Sequence, residues 1–283
     1  MALQVTRFDS TDAFEAAALE WLLEREAEHN LILGICGQIR DGRYADPYLA
    51  TVADASRVVA TAVRTPPHNV LLSHVDDVRA LEVIARDVHD TYGADVAGVL
   101  GASEDARHFA GIWTTLTMRR AVLSMQQRIY ECTEVAPPAG VAGEARAATT
   151  DDRPLVVEWL RAFNEEALGD TPADGVEANI DWRLDPSTSS GLVVWWDGDP
   201  VSMVGYGRPT RSGMTVAPVY TPPALRGRGY ASACTAAVTR QLLESGRRFV
   251  SLYTDLANPT SNSIYQKIGY RPVRDVDQYR FTD

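Results

Sequence analysis

The second half of the chain is punctuated so that few orders of elements fit it. Leu192 to Trp196 reads as a strand, and Asp197-Gly198 supplies a tight turn. Val201 to Tyr206 and Met214 to Tyr220 extend this to three strands of an antiparallel meander. Gly229 to Glu244 then carries Tyr230, Ala233, Cys234, Ala237, Val238 and Leu242 along one helical side, and Gly246 predicts a left-handed cap. Phe249 to Thr254 reads as a buried strand, Pro259 to Ile268 as a helix stopped by Gly269, and Tyr270 to Phe281 as extended chain. Ahead of the meander, Asp152 to Leu168 has helical apolar spacing, a second helix covers Val176 to Leu184, and Glu144 to Thr149 is a candidate opening strand. This order predicts an α/β (α+β) architecture, a mixed sheet flanked by helices.

The first half repeats the order more weakly. A helix is predicted over Asp12 to Glu28, then strands near Tyr48 to Val52, Val58 to Thr65 and Asn69 to His74. A helix at Asp77 to Thr91, a strand at Asp95 to Leu100, a helix at Glu104 to Thr115 and a strand at Met118 to Cys132 follow. The offset of about 150 residues reads as a duplicated fold, with two unrelated α/β domains of similar order as the alternative. Pro137, Pro138, Gly140 and Gly143 set a boundary near residue 140, giving domains 1–140 and 141–283.

Composition removes several function classes. With 45% apolar residues there is enough mass to offset the entropy of ordering the chain, so disorder is excluded for most of it. The longest apolar runs, such as Gly191 to Trp196, are far short of a membrane span. The opening residues show no positive, then apolar, then small-residue pattern, so no signal peptide and a cytoplasmic location without membrane attachment are expected. A net charge of −11 argues against nucleic acid and leaves room for a cationic substrate. Cys36, Cys132 and Cys234 form no CxxC pair, which argues against a disulfide framework or structural zinc. All 5 histidines, His29 to His108, lie in the first half. A histidine triad or two-His metal site within the second half is therefore excluded, and no metal is expected.

One segment carries chemistry. Val219-Tyr220-Thr221-Pro222-Pro223-Ala224-Leu225-Arg226-Gly227-Arg228-Gly229-Tyr230-Ala231 ends a strand, turns stiffly and opens through a basic glycine loop into a helix. The first amides of a helix lack intrahelical partners, the dipole adds partial positive charge, and Arg226 and Arg228 add full charges. Together they suit a phosphate or diphosphate. No Gly-Lys-Ser/Thr follows, and Ser232 stands where a dinucleotide fingerprint needs Gly or Ala. A helix start with surface arginines is the plain alternative. A second segment runs from Asn258 to Tyr270. There Asn258 can cap a helix, Pro259 fits its first turn, and Asn258, Ser261 or Asn262, and Tyr265 share a face.

Together the two segments resemble the GNAT acyl-CoA N-acyltransferases. The family's Gln/Arg-x-x-Gly-x-Gly/Ala signature is matched by Arg226, Gly229 and Ala231. Its later Asn, Tyr and Gly followed by an aromatic are matched by Asn258, Tyr265, Gly269 and Tyr270. The resemblance covers about residues 142 to 283 and implies a tandem of two GNAT-like domains, the first a degenerate copy. In that copy the corresponding corner is Ser73-His74-Val75-Asp76-Asp77, with no Gly and two carboxylates, so no acyl-CoA is expected there.

The resemblance implies that Val219, Tyr220 and Thr221 bond the pantetheine arm and thioester through their backbone. Gly227, Arg228, Gly229, Tyr230 and Ala231, with Arg226, would hold the diphosphate. Asn258 and Ser261 would contact the cofactor arm, and Tyr265 would stand near the sulfur. The expected reaction is acetyl transfer from acetyl-CoA to a primary amine by direct attack, with Tyr265 protonating the leaving thiolate. Glu165, Glu166, Asp255 or a water chain are the candidate bases, with Glu165 put first. Cys234 is expected in the core, and one of Trp195 and Trp196 in the core with the other at the acceptor site. An acyl-CoA sensor without turnover is the alternative, and a nicotinamide oxidoreductase a third. The acceptor, small molecule or peptide, is not readable, and a monomer or homodimer is expected.

Overall fold

The computed structural model describes residues 3–168 and 175–283. The chain forms two compact units. The first comprises the residues up to Ile129 together with Thr254–Asn258 and Pro272–Asp283, and the second comprises Tyr130–Tyr253 and Pro259–Arg271.

The first unit begins with β1 (Gln4–Arg7), α1 (Thr11–Leu23), α2 (Asn30–Arg40), β2 (Tyr48–Asp54), β3 (Arg57–Arg64) and β4 (Val70–Leu72). It continues with α3 (Arg79–Tyr92), β5 (Gly98–Ala102), α4 (Ser103–Thr117) and β6 (Arg120–Cys132), whose last residues belong to the second unit. The helix predicted over Asp12 to Glu28 stops at Leu23, and a separate helix follows at Asn30. Ser10 caps α1 by accepting from the Ala13 amide at 3.2 Å. Alternate strand residues face opposite layers: Tyr48, Ala50 and Val52 pack with α3 and α4, while Leu49, Val63 and Leu71 pack with α1 and α2. β4 and β5 are parallel. Where the chain passes from β4 to α3, Asp77 accepts from the Arg79 amide at 3.0 Å and holds the Arg79 guanidinium. That carboxylate occupies the start of α3, and Asp76 is taken by Arg57 and by His74 Nε2 at 3.0 Å.

The second unit runs β7 (Glu144–Ala147), α5 (Arg153–Leu168), α6 (Val176–Leu184), β8 (Gly191–Asp197), β9 (Asp199–Gly207) and β10 (Gly213–Tyr220). Then come α7 (Tyr230–Glu244), β11 (Phe249–Asp255) and α8 (Pro259–Ile268). The last strand, β12 (Arg271–Thr282), lies from Pro272 onward in the first unit and pairs there antiparallel with β5 over Val276 to Arg280. A capping box precedes α5: Asp152 accepts from the Thr149 amide at 2.8 Å and forks onto Arg146 at 2.7 and 2.8 Å. That guanidinium, with the Thr149 amide, draws the Asp152 carboxyl down to about 2.

Both units use one plan, an antiparallel run of strands closed by a parallel pair. The order is β1-β2-β3-β4-β5 in the first and β7-β8-β9-β10-β11 in the second. In the second unit, Val193 and Trp195 pack against α7, while Leu192 and Val194 pack against α5 and α6. Gly246 and Gly269 take positive φ, as the sequence predicts for helix ends. Among the described residues no helix is long and apolar enough to cross a membrane.

Candidate functional site

The site is built where β10 leaves its parallel partner. β10 and β11 are in register only from Gly213 to Thr215, opposite Phe249 to Ser251. From Val216 to Tyr220, β10 is paired only with β9 among the described residues. A bulge between Val216 and Val219 breaks that register and contains Pro218, which has no N–H to give a ladder. The bulge lies against Gly205, where an added Cβ would stand 2.7 Å from both the Ala217 carbonyl oxygen and Pro218 Cδ. The end of β10, carrying Val219, Tyr220 and Thr221, thus has one backbone edge without a strand beside it. This is the edge along which an extended ligand arm can bond.

A short 3₁₀ turn, Pro223–Leu225, carries the chain from β10 into the glycine loop. Gly227 and Gly229 have φ of +79° and +86°, a region that favours glycine. A Cβ on Gly227 would meet nothing within 4 Å, so the loop is open on that side. The amides of Gly227, Arg228 and Gly229 donate to no described residue. The first bond of α7 runs from the Ala233 amide to the Gly229 carbonyl at 2.9 Å, so Tyr230, Ala231 and Ser232 add three more amides without an intrahelical partner. Six consecutive amides and the dipole of a helix that runs from Tyr230 to Glu244 meet there, while the exposed Arg228 guanidinium lies by the Tyr230 hydroxyl. These groups fit a diphosphate.

Several predicted residues take more definite positions. Tyr230 offers the site only its backbone: its ring packs in the core and its hydroxyl donates to Asp197 at 2.6 Å. That hydrogen bond, with burial, pushes the phenol above its usual range. The Tyr220 carbonyl accepts from Ser202 Oγ at 3.0 Å, and the Thr221 carbonyl accepts from Arg226 Nε at 2.8 Å. Tyr265 projects from α8 into the core, 8% exposed, with its ring edge-on to Tyr270 at 5.9 Å. No described residue hydrogen-bonds its hydroxyl, and burial pushes the phenol up to about 12. Ser261 lies one turn before Tyr265 on α8. Asn258 belongs to the first unit, in the turn immediately before α8, where its amide donates to the Asp255 carbonyl at 3.1 Å.

Of the two neighbouring glutamates, Glu165 is exposed and has no hydrogen bond or ion pair among the described residues. Glu166 meets the site. It accepts from the Tyr220 hydroxyl at 3.2 Å and from Arg226 Nη2 at 2.5 Å. Burial first, then the Glu166 charge, holds the Tyr220 phenol above its usual range. The Asp255 carboxylate caps the turn ahead of α8, accepting from the Ala257 amide at 2.8 Å. Cys234 is fully buried, as expected of a core residue, and burial pushes its thiol up. Trp195 is in the core with Nε1 donating to the Ala142 carbonyl at 2.8 Å. Trp196 lies under the Arg146 guanidinium at 4.9 Å. Ser202, which no motif singles out, links β9 to the segment after β10 through Thr221 Oγ1 at 2.9 Å. Among the described residues no group of three or more His, Cys, Asp or Glu is placed to hold a metal ion.

Residues 154–270 match the model of the Acetyltransferase (GNAT) family. No curated protein matches the chain by sequence. Solved structures share the fold along its length. An acetyltransferase of the GNAT family from Colwellia psychrerythraea superposes with a TM-score of 0.61 at 11% identity, over 99% of this chain and 100% of that one. A GCN5-related N-acetyltransferase from Sphaerobacter thermophilus gives 0.62 at 17% identity, over 98% and 95%. A tandem GNAT protein from the clavulanic acid biosynthesis pathway gives 0.58 at 12% identity, over 99% and 98%. The matched segment, residues 154–270, holds the splayed strands, the glycine loop and Tyr265, and over that segment the chain is similar to the GNAT acetyltransferases.

Proposed function

We propose that the second unit is an N-acetyltransferase that takes acetyl-CoA as donor and a primary amine as acceptor. The observation that carries this reading is the open run of amides from Gly227 to Ser232, set directly after a strand end with a free backbone edge. The amides and Arg228 would hold the diphosphate, and the Val219–Thr221 edge would align the pantetheine arm and polarise the thioester carbonyl. Ser261, in the first turn of α8, would contact the arm.

Direct attack by a neutral amine expels a thiolate. Tyr265 is suited to meet it, because its hydroxyl has no partner among the described residues and stays protonated at neutral pH. A phenol near 12 is a weak acid for a free thiol of about 8.5. The apolar surroundings that raise the phenol raise a thiol beside it as well, so the two remain matched for a hydrogen bond. The first unit, with carboxylates at its corresponding corner, is a GNAT-like copy without a donor site. Its shared strand plan and the Asp77 carboxylate at the start of α3 support that assignment.

The test is incubation with acetyl-CoA and a panel of amines while free thiol is followed. Thiol release that depends on one class of amine is expected. Coenzyme A that stabilises the protein without any amine releasing thiol would identify an acyl-CoA sensor instead. At 100 times Kd such binding adds about 2.7 kcal/mol of stability.

A further inference from the structure

We propose that Glu166 is the counter-ion of the glycine loop in the unliganded protein. In this role it holds Arg226 until a diphosphate takes the guanidinium, and it is then the carboxylate left to receive the amine. The inference rests on the diphosphate reading of the loop and adds a coupling between the donor and acceptor sites. Three contacts carry it. Arg226 Nη2 donates to Glu166 Oε2 at 2.5 Å, Tyr220 donates through its hydroxyl to Glu166 Oε1 at 3.2 Å, and Arg226 Nε donates to the Thr221 carbonyl at 2.8 Å. The guanidinium therefore has a fixed end on the strand and an exchangeable end on Glu166.

The exchange is physically easy. The Arg226 and Glu166 side chains are 47% and 42% exposed, so their pairing is weakly stabilising. A diphosphate offers more negative charge and matches the planar fork of Arg. Retaining the Nε bond to Thr221 lets Nη2 turn toward the loop without the side chain leaving the site. Glu166 then keeps the Tyr220 hydroxyl and gains an open oxygen beside the thioester strand. An ammonium is attracted to that oxygen and can pass it a proton. Because one carboxylate serves Arg226 before donor binding and the amine after it, each substrate raises the affinity for the other. Glu166 is in this account a positioning residue for the donor.

The test is calorimetric titration of the full chain with coenzyme A, for the wild type, Glu166→Gln, Arg226→Gln and the double variant. Glu166→Gln should bind coenzyme A roughly three- to fivefold tighter, the scale of a half-exposed ion pair. Arg226→Gln should bind more weakly, and Glu166→Gln added to it should change nothing further. With any amine that the thiol assay returns, Glu166→Gln should raise the amine KM while the acetyl-CoA KM falls. Unchanged or weaker binding by Glu166→Gln overturns the proposal. An equal gain in the Arg226→Gln background also overturns it, since that would be plain charge repulsion. A wild type that binds no coenzyme A overturns the diphosphate reading itself, and that outcome is separate from the other two.

Discussion

Tyr265 combines two properties that rarely coincide, burial of the ring and a hydroxyl that no described residue bonds. A hydroxyl so placed adds nothing to folding and is free to meet a ligand atom. Tyr265→Phe is expected to lower kcat about tenfold, or about 1.4 kcal/mol of transition-state stabilisation, with the KM for acetyl-CoA unchanged. Steady-state kinetics on both substrates checks this. His29 shows the converse, a titratable group used up by structure. Its Nδ1 meets the Leu22 carbonyl at 2.7 Å, and its Nε2 accepts from the His74 amide at 3.0 Å. Burial pushes its pKa down to about 4. The unfolded chain, near 6.5, therefore takes the proton first. Stability due to His29 is complete above pH 6.5 and falls by about 3 kcal/mol as the pH drops toward 4. Urea unfolding at pH 7 and pH 5 should show about 2 kcal/mol of that loss, and His29→Gln should flatten it. At this scale the placement of Tyr265 on α8, at a helical spacing from Ser261, was legible in the sequence, and the burial of its ring was not. The contact that distinguishes Glu166 from Glu165 was not legible: the two lie about 100° apart on one helix, and Arg226, which meets Glu166, is 60 residues away in sequence.

The elements were legible wherever glycine or proline marks an end. Gly246 takes the positive φ expected of it, Gly269 ends α8 as expected, and α7 and α8 begin within a residue of their predicted starts. α2 was not legible. Asn30–Arg40 contains Gly34 and Gly37, which lower helix propensity, and its stability comes from Ile32, Leu33, Ile35 and Cys36 packing on α1 and the sheet. The bulge in β10 was also hidden, since nothing in Ala217-Pro218 says that Gly205 faces it across the ladder. That contact makes Gly205→Ala informative. The new methyl would meet the bulge at 2.7 Å, so a loss of about 1–3 kcal/mol in stability is expected. Weaker coenzyme A binding by the folded variant should accompany it, because the edge at Val219–Thr221 is set by the bulge. Calorimetry and urea unfolding of the one variant measure both.

At the scale of the molecule, the extended pattern over Tyr270 to Phe281 announces a strand and leaves its partner open, since period-two alternation is the same beside any neighbour. The structure pairs it with β5 and stacks Phe281 on Trp113 at 5.4 Å in the core of the first unit. Phe281→Ala should therefore destabilise the first unit by about 3–5 kcal/mol. A separate early unfolding step should be visible in the fluorescence of Trp113, the tryptophan at that contact. The duplicated strand plan places one loop of open amides in the second unit, and carboxylates at the matching corner of the first. The claim on which the functional account stands is that this single loop holds the diphosphate of an acyl-CoA. The most direct measurement is the stoichiometry of coenzyme A binding to the wild type and to Ala231→Glu. A glutamate in the first turn of α7 is favourable to the helix dipole, so the variant should keep or raise its melting temperature while its charge repels the ligand. One molecule per wild-type chain and none on a folded Ala231→Glu chain is the predicted result. Two molecules per chain, or undiminished binding by the variant, would contradict it.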